Sequence, residues 1–138
     1  MTTVLQQVLD RLDVVLKASA LSGTQVFRGR ADAESLAEAP SMNVLTQEDQ
    51  VESFSAEMDR HTVLVELRIY VRGEPGDVLA EAQHAAVHGP IVTDATLAAL
   101  CESRRLAEYA FERAEADQTS THKSVRYRFT YLIPQTTL

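Results

Sequence analysis

Strict alternation over Arg60–Arg72 constrains this chain more than any other feature. Val63, Val65, Leu67, Ile69 and Val71 fall on one side of an extended backbone, and Glu66, Arg68, Tyr70 and Arg72 on the other, with Leu64 the exception. A period of two with β-branched residues on one side predicts a half-buried strand. A second such pattern closes the chain, where Val125, Tyr127, Phe129 and Tyr131 share a face and Lys123, Arg126 and Arg128 mark a basic region. Strands with one apolar face need a layer to cover that face. The N-terminus supplies it: Val4, Leu5, Val8, Leu9, Leu12, Val15 and Leu16 recur at helical spacing. Thr3 and Gln6 have capping-box spacing, and Ser22-Gly23 stops the helix after Leu21. The polar side of that helix lacks the Lys/Arg enrichment of a membrane-surface helix.

The remaining elements follow from turns and residue types. A short strand is expected at Gln25–Arg30 and an extended piece at Ser41–Thr46, entered through Pro40. Gly73-Glu74-Pro75-Gly76 is a turn, and Asp77 lies in the first turn of a second helix, where its charge suits the macrodipole. Val78, Leu79, Ala82, Ala85 and Ala86 give that helix a thin apolar face, and Gly89-Pro90 breaks or kinks it. Thr93–Leu100 reads as a short capped helical turn with Leu97 and Leu100 inward. Glu102–Gln118 is ambiguous. Its Ala, Glu, Arg and Leu content favours helix, while Tyr109 and Phe111 alternate and Asp117-Gln118-Thr119-Ser120 looks like a hairpin connection. Segregated helices and clustered strands make the class α+β: a mainly antiparallel sheet with helices packed on one face.

The 138 residues fit one domain, 1–138, able to bury about two-thirds of its surface without a disulfide or metal. Net charge is −7, from 13 Lys+Arg against 20 Asp+Glu. The imbalance sits in Ala31–Asp59, which holds Asp32, Glu34, Glu38, Glu48, Asp49, Glu52, Glu57 and Asp59 and no Lys or Arg. Within it, 47–59 shows no clean period and is expected to be a long loop or the flexible tip of a hairpin, since repelling carboxylates offer little apolar burial against ordering entropy. An acidic chain lacks the electrostatic footprint of a phosphate-gripping protein. No apolar run approaches the ~18 residues of a membrane span, and the first residues do not read as a signal peptide.

Chemical motifs are sparse. There is no P-loop, dinucleotide glycine motif, Gly-x-Ser-x-Gly elbow or cysteine pair. Cys101 reads as a buried small apolar residue. The one ligand-like cluster is Glu81, His84 and His88 on the second helix, with the histidines at i, i+4. Two imidazoles so spaced can share a metal, but Ala85 stands where a helical metalloprotease motif has its glutamate. A small metal-dependent enzyme using these three residues is the alternative from a different class; a solvated polar face is the bland one.

With these elements in place, the chain resembles the tail terminator (minor tail, tail-completion) family of long-tailed bacteriophages and prophages. The likeness spans nearly the whole length. It runs through the N-terminal helix, Val26-Phe27-Arg28-Gly29-Arg30, the proline-entered Ala39-Pro40-Ser41-Met42-Asn43-Val44, the long strand Thr62–Arg72, the turn Thr93-Asp94-Ala95-Thr96-Leu97 and the closing Arg126-Tyr127-Arg128-Phe129-Thr130-Tyr131. The resemblance makes Glu102–Glu115 a strand. It implies a ring, commonly of about six copies, that caps the tail tube, ends its polymerisation and offers a surface to the head connector. It implies no active site, no cofactor and no specific DNA binding, with DNA passing through the ring. The expected location is the bacterial host cytoplasm during assembly and then the virion tail. A head-completion or neck protein of the same assembly is the close alternative.

A ring of identical copies needs two different, complementary patches on each subunit. The charge map offers Glu48, Asp49 and Glu52 against a neighbour's Arg28, Arg30, Lys123, Arg126 and Arg128. The same acids could instead face the tube, or line the channel and repel DNA phosphate. Six or so like-charged subunits repel one another, so assembly is expected to depend on concentration and salt.

Overall fold

In the computed structural model, which describes residues 3–29, 40–113 and 120–136, the elements run α1 (Val4–Ser19), β1 (Gln25–Arg28), β2 (Ser41–Ser53), β3 (Met58–Arg72), α2 (Gly76–Thr93), α3 (Ala95–Leu100), β4 (Ser103–Arg113) and β5 (Ser120–Pro134). The strands form one sheet in the order β1-β2-β3-β5-β4. Among the described strands the short β1–β2 pair is parallel, and β2–β3, β3–β5 and β4–β5 are antiparallel. The fold is α+β, and the ambiguous stretch after Glu102 is a strand paired to β5.

Register explains the core. Val63 sits opposite Phe129, Val65 opposite Tyr127 and Leu67 opposite Val125, so the alternating residues of β3 and β5 meet on one face. Met42 and Val44 of β2 extend the same face. Val8, Leu12, Val15 and Leu16 of α1, Val87 and Ile91 of α2 and Leu97 of α3 cover it in a single cluster. Burying each large side chain there stabilises the fold by about 2 kcal/mol. α1 starts as its sequence dictates, with Thr3 Oγ1 accepting from the Gln6 N–H at 3.1 Å. Asp94 ties the layer together. Its carboxylate accepts from the Leu97 N–H at the start of α3 and from the Arg11 guanidinium of α1 at 2.7 and 2.9 Å. These bonds, the Arg11 pair foremost, hold the Asp94 carboxyl down at about 2. Asp94 thus gives the turn Thr93-Asp94-Ala95-Thr96-Leu97 a physical role.

Three expectations are corrected. The acidic stretch 47–59 is not a long loop but the end of a hairpin, and it is strand for most of its length: β2 continues to Ser53, β3 begins at Met58, and the turn is confined to 54–57. Glu48 pairs with Leu64, Asp49 with Val63 and Glu52 with Arg60, so β3 supplies backbone partners for a segment with no apolar period of its own. A bulge between Thr46 and Glu48 shifts the alternation by one residue, and beyond it the side chains of both faces are exposed, so no apolar period is visible there. Gly89-Pro90 does not break α2, which runs on to Thr93. Full burial of Val87 and Ile91, about 2 kcal/mol each, offsets the hydrogen bond that proline cannot donate. Finally, α2 turns a different face inward: Ala80, Gln83, His84, Val87 and Ile91 are buried, while Val78, Leu79, Ala82 and Ala85 are exposed.

Two glycines are required by geometry. Gly73 takes φ 122° in the turn after β3, a region L side chains rarely adopt. At Gly76 a Cβ would lie 1.9 Å from Thr121 Oγ1, so the start of α2 can approach β5 only without a side chain. No helix among the described residues is long and apolar enough to cross a membrane.

Candidate functional site

The sheet has two faces of different character. One is sealed by the helices. On the other, cross-strand rows carry polar and charged residues: Leu45, Glu66, Arg126 and Glu108 in one row, then Leu64 between Glu48 and Arg128, then Arg60 between Glu52 and Leu132. In the first row Glu66 is only 3% exposed, and accepts from Gln47, Arg68 and Ser124, the last at 2.8 Å. Three donors compensate the cost of burying that carboxylate.

The acids expected to act together are split by strand alternation. Glu48 and Glu52 lie on the open face, where they line a hollow of about 370 Å³ with Gln50, Thr62, Leu64 and Arg128. Arg128 therefore shares a groove with these carboxylates inside one copy. Arg60 is held by Glu52 at 3.4 Å and Glu102 at 3.2 Å, and lies over the Phe54 ring. Asp49 points to the helix side of the sheet. Its Oδ1 is 3.4 Å from His61 Nδ1 without hydrogen-bond geometry, and His61 stacks on Tyr131. Burial, aided by the Asp49 charge, pushes the Tyr131 hydroxyl up to about 12. Every residue from Thr46 to Glu57 is exposed, including the apolar Val51 and Phe54. The acidic segment is thus a paired, outward-facing arm.

The expected basic region does not form one surface. Arg28 is bound to Asp10 and Gln6 of α1. Arg126 is paired with Glu108 at 2.5 Å. Lys123 is 2% exposed and turned under α2, so it is removed from the contact set. Its odd register position shares the helix-facing side with Val125 and Tyr127. Arg30, like Asp32, Glu34 and Glu38, lies outside the described residues. Arg104 and Arg105 carry no signal in the sequence, because their faces are defined only once β4 is known to be a strand. Arg104 donates to the Val92 carbonyl at 2.7 Å, whereas Arg105 is exposed on the open face.

Glu81, His84 and His88 do come close together, but around a hydroxyl. His84 Nε2 and His88 Nδ1 approach Tyr127 Oη at 2.8 and 2.7 Å, and His84 Nδ1 lies 3.0 Å from Lys123 Nζ. Glu81 reaches the same Nζ at 3.5 Å. A lysine ammonium offers only protons, so His84 Nδ1 accepts, its Nε2–H donates to Tyr127, and the tyrosine O–H donates to His88 Nδ1. Burial, then Lys123 and His88, push His84 down to about 4, which keeps the ring neutral. Burial also raises the Tyr127 hydroxyl. Both nitrogens of His84 are committed inside this chain of bonds, so the ring has no lone pair for a metal in this arrangement. Among the described residues no group of three metal-ligating side chains has metal-binding geometry. Cys101 is buried and its thiol is pushed up to about 11, a structural rather than reactive state. Comparison with protein-family models and with curated proteins gives no match.

Proposed function

We propose that this chain is a structural ring subunit of the phage tail terminator kind, capping the tail tube and presenting a surface to the head connector. The observation that carries the reading is the exposed acidic arm of β2 and β3, with Val51 and Phe54 about half exposed among Glu48, Asp49 and Glu52. Apolar side chains left in water on a charged projection suit contact with another protein rather than turnover of a small molecule. The element order supports the same reading. A proline-entered second strand, a long third strand, a glycine turn into a helix and an Asp94-capped turn before the last hairpin are the features on which the resemblance rests.

Electron microscopy of the purified chain at high concentration tests the ring directly, with annular particles and a central hole as the expected result. Replacing Glu48, Asp49 and Glu52 together by Gln, Asn and Gln is expected to weaken ring formation or tube capping. Capping at the wild-type concentration by that variant would remove the arm from the contact. Binding to purified tail tubes rather than to portal-bearing heads separates a terminator from a neck protein.

A further inference from the structure

The sheet ends on two edges that differ in charge. On one side β1 covers β2 only from Ser41 to Val44, and among the described residues nothing pairs with the outer edge of β2 beyond it, where 46–53 are exposed. On the other side β4 is the last strand, and among the described residues no strand pairs with its outer edge over Ser103–Arg113. The first edge carries Glu48, Asp49 and Glu52, of which Glu52 also lies 3.4 Å from Arg60 and keeps most of its carboxylate exposed; the second carries Arg105, with Glu108 already held by Arg126. Glu48 and Arg105 have no ion-pair partner among the described residues. Exposed edges are templates for strand addition, and proteins that leave them open control what adds.

We infer that the outer edge of β4 pairs with the outer edge of β2 in a second copy of this chain, continuing the sheet from subunit to subunit. The inference deepens the ring reading and rests on it. Direction fits. β2, β3, β5 and β4 alternate in direction, so β4 runs opposite to β2. A copy related by rotation about an axis along the strands therefore offers its β2 antiparallel to β4, the favourable pairing. The helices stay on one side of the continued sheet.

Side chains fit in one register. Val51, 56% exposed, and Leu106, 37% exposed, both point to the helix side. Setting Leu106 opposite the second copy's Val51 sets Arg105 opposite its Glu52 on the open face. The charges also discriminate against the wrong contacts. β4 against β4 brings arginines together, and β2 against β2 brings three carboxylates of each copy together. The unlike pair is the one in which the net charges of the two edges are opposite, which favours a heterologous contact that can close a ring over a two-fold dimer.

Two variants test the pairing in the full chain. Val51→Cys combined with Leu106→Cys, treated with a short bismaleimide, should give a ladder of covalent oligomers, while each single variant gives none; buried Cys101 does not interfere. Arg105→Glu and Glu52→Lys should each raise the concentration needed for assembly by about tenfold per contact, and the double variant should recover most of that loss. A wild-type chain that forms no oligomer at high concentration overturns the ring reading, and this inference with it. Wild-type rings that show neither the ladder nor the charge effect leave the ring standing and overturn the edge pairing. Cross-linking by a single-cysteine variant points to a like-edge contact and also overturns it.

Discussion

Tyr127→Phe should cost this fold far more than the loss of one oxygen suggests. The hydroxyl is both acceptor for His84 Nε2–H at 2.8 Å and donor to His88 Nδ1 at 2.7 Å. Its removal leaves the His84 N–H buried without an acceptor, since His84 is 8% exposed and its other nitrogen faces Lys123. An orphaned buried donor costs about 1–3 kcal/mol. His88 is only half-buried and can turn to water, so its loss adds less, about 0.5 kcal/mol. The sum is about 1.5–3.5 kcal/mol, or a fall in Tm of about 5–12 °C for a chain of this length. Urea unfolding followed by circular dichroism should give a lower midpoint with an unchanged m-value. Adding His84→Leu to Tyr127→Phe removes the orphaned donor, so the double variant should be less destabilised than the two single effects summed. A Tyr127→Phe variant within about 0.5 kcal/mol of wild type, or strictly additive effects, would refute the bonded chain.

Acid should reveal two groups in separate windows. His84 is held at about 4 against an ordinary 6.5, so the unfolded chain binds a proton that the folded chain refuses. Stability is complete above 6.5 and declines as pH falls toward 4. Nitrogen-detected NMR of His84 should show a neutral ring at pH 6, and a ring titrating near 6.5 would contradict its burial between Lys123 and Tyr127. Asp94, held at about 2 against 3.8, contributes stability present above 3.8 and lost as pH falls to 2. Asp94→Asn keeps the cap of α3 but loses the ionic bond to Arg11, so its urea midpoint should drop at pH 7 and differ little from wild type at pH 2.

Legibility followed the range of the interactions. The helical period of α1 and the alternation of β3 and β5 are local consequences of backbone geometry, and the elements appear where the residues place them, within a residue or two at their ends. Those patterns alone determined the α+β class and the single face on which the core is built. The candidate contact residues were legible as residue types but not as surfaces. Lys123 reads as part of a basic strand, yet its position in β5 sends it under α2. Glu48 and Asp49 are neighbours in sequence, yet the strand sends them to opposite sides of the sheet.

What only tertiary structure decided lies where a local preference was overruled by a distant partner. The acidic stretch after Thr46 has no apolar period, and it is a strand because β3 supplies its backbone hydrogen bonds. α2 buries Gln83 and His84 rather than Val78 and Leu79 because Thr24, Lys123 and Tyr127 stand ready to bond them. Burying a polar group is costly only when it is unpaired, and the partners that settle the matter lie far away in the sequence. The sequence by itself determined the periods, the faces of α1, β3 and β5 and the layered class. The fold decided which charges meet, which helix face is hidden and which strands stand at the ends of the sheet, because each depends on contacts that no local pattern encodes.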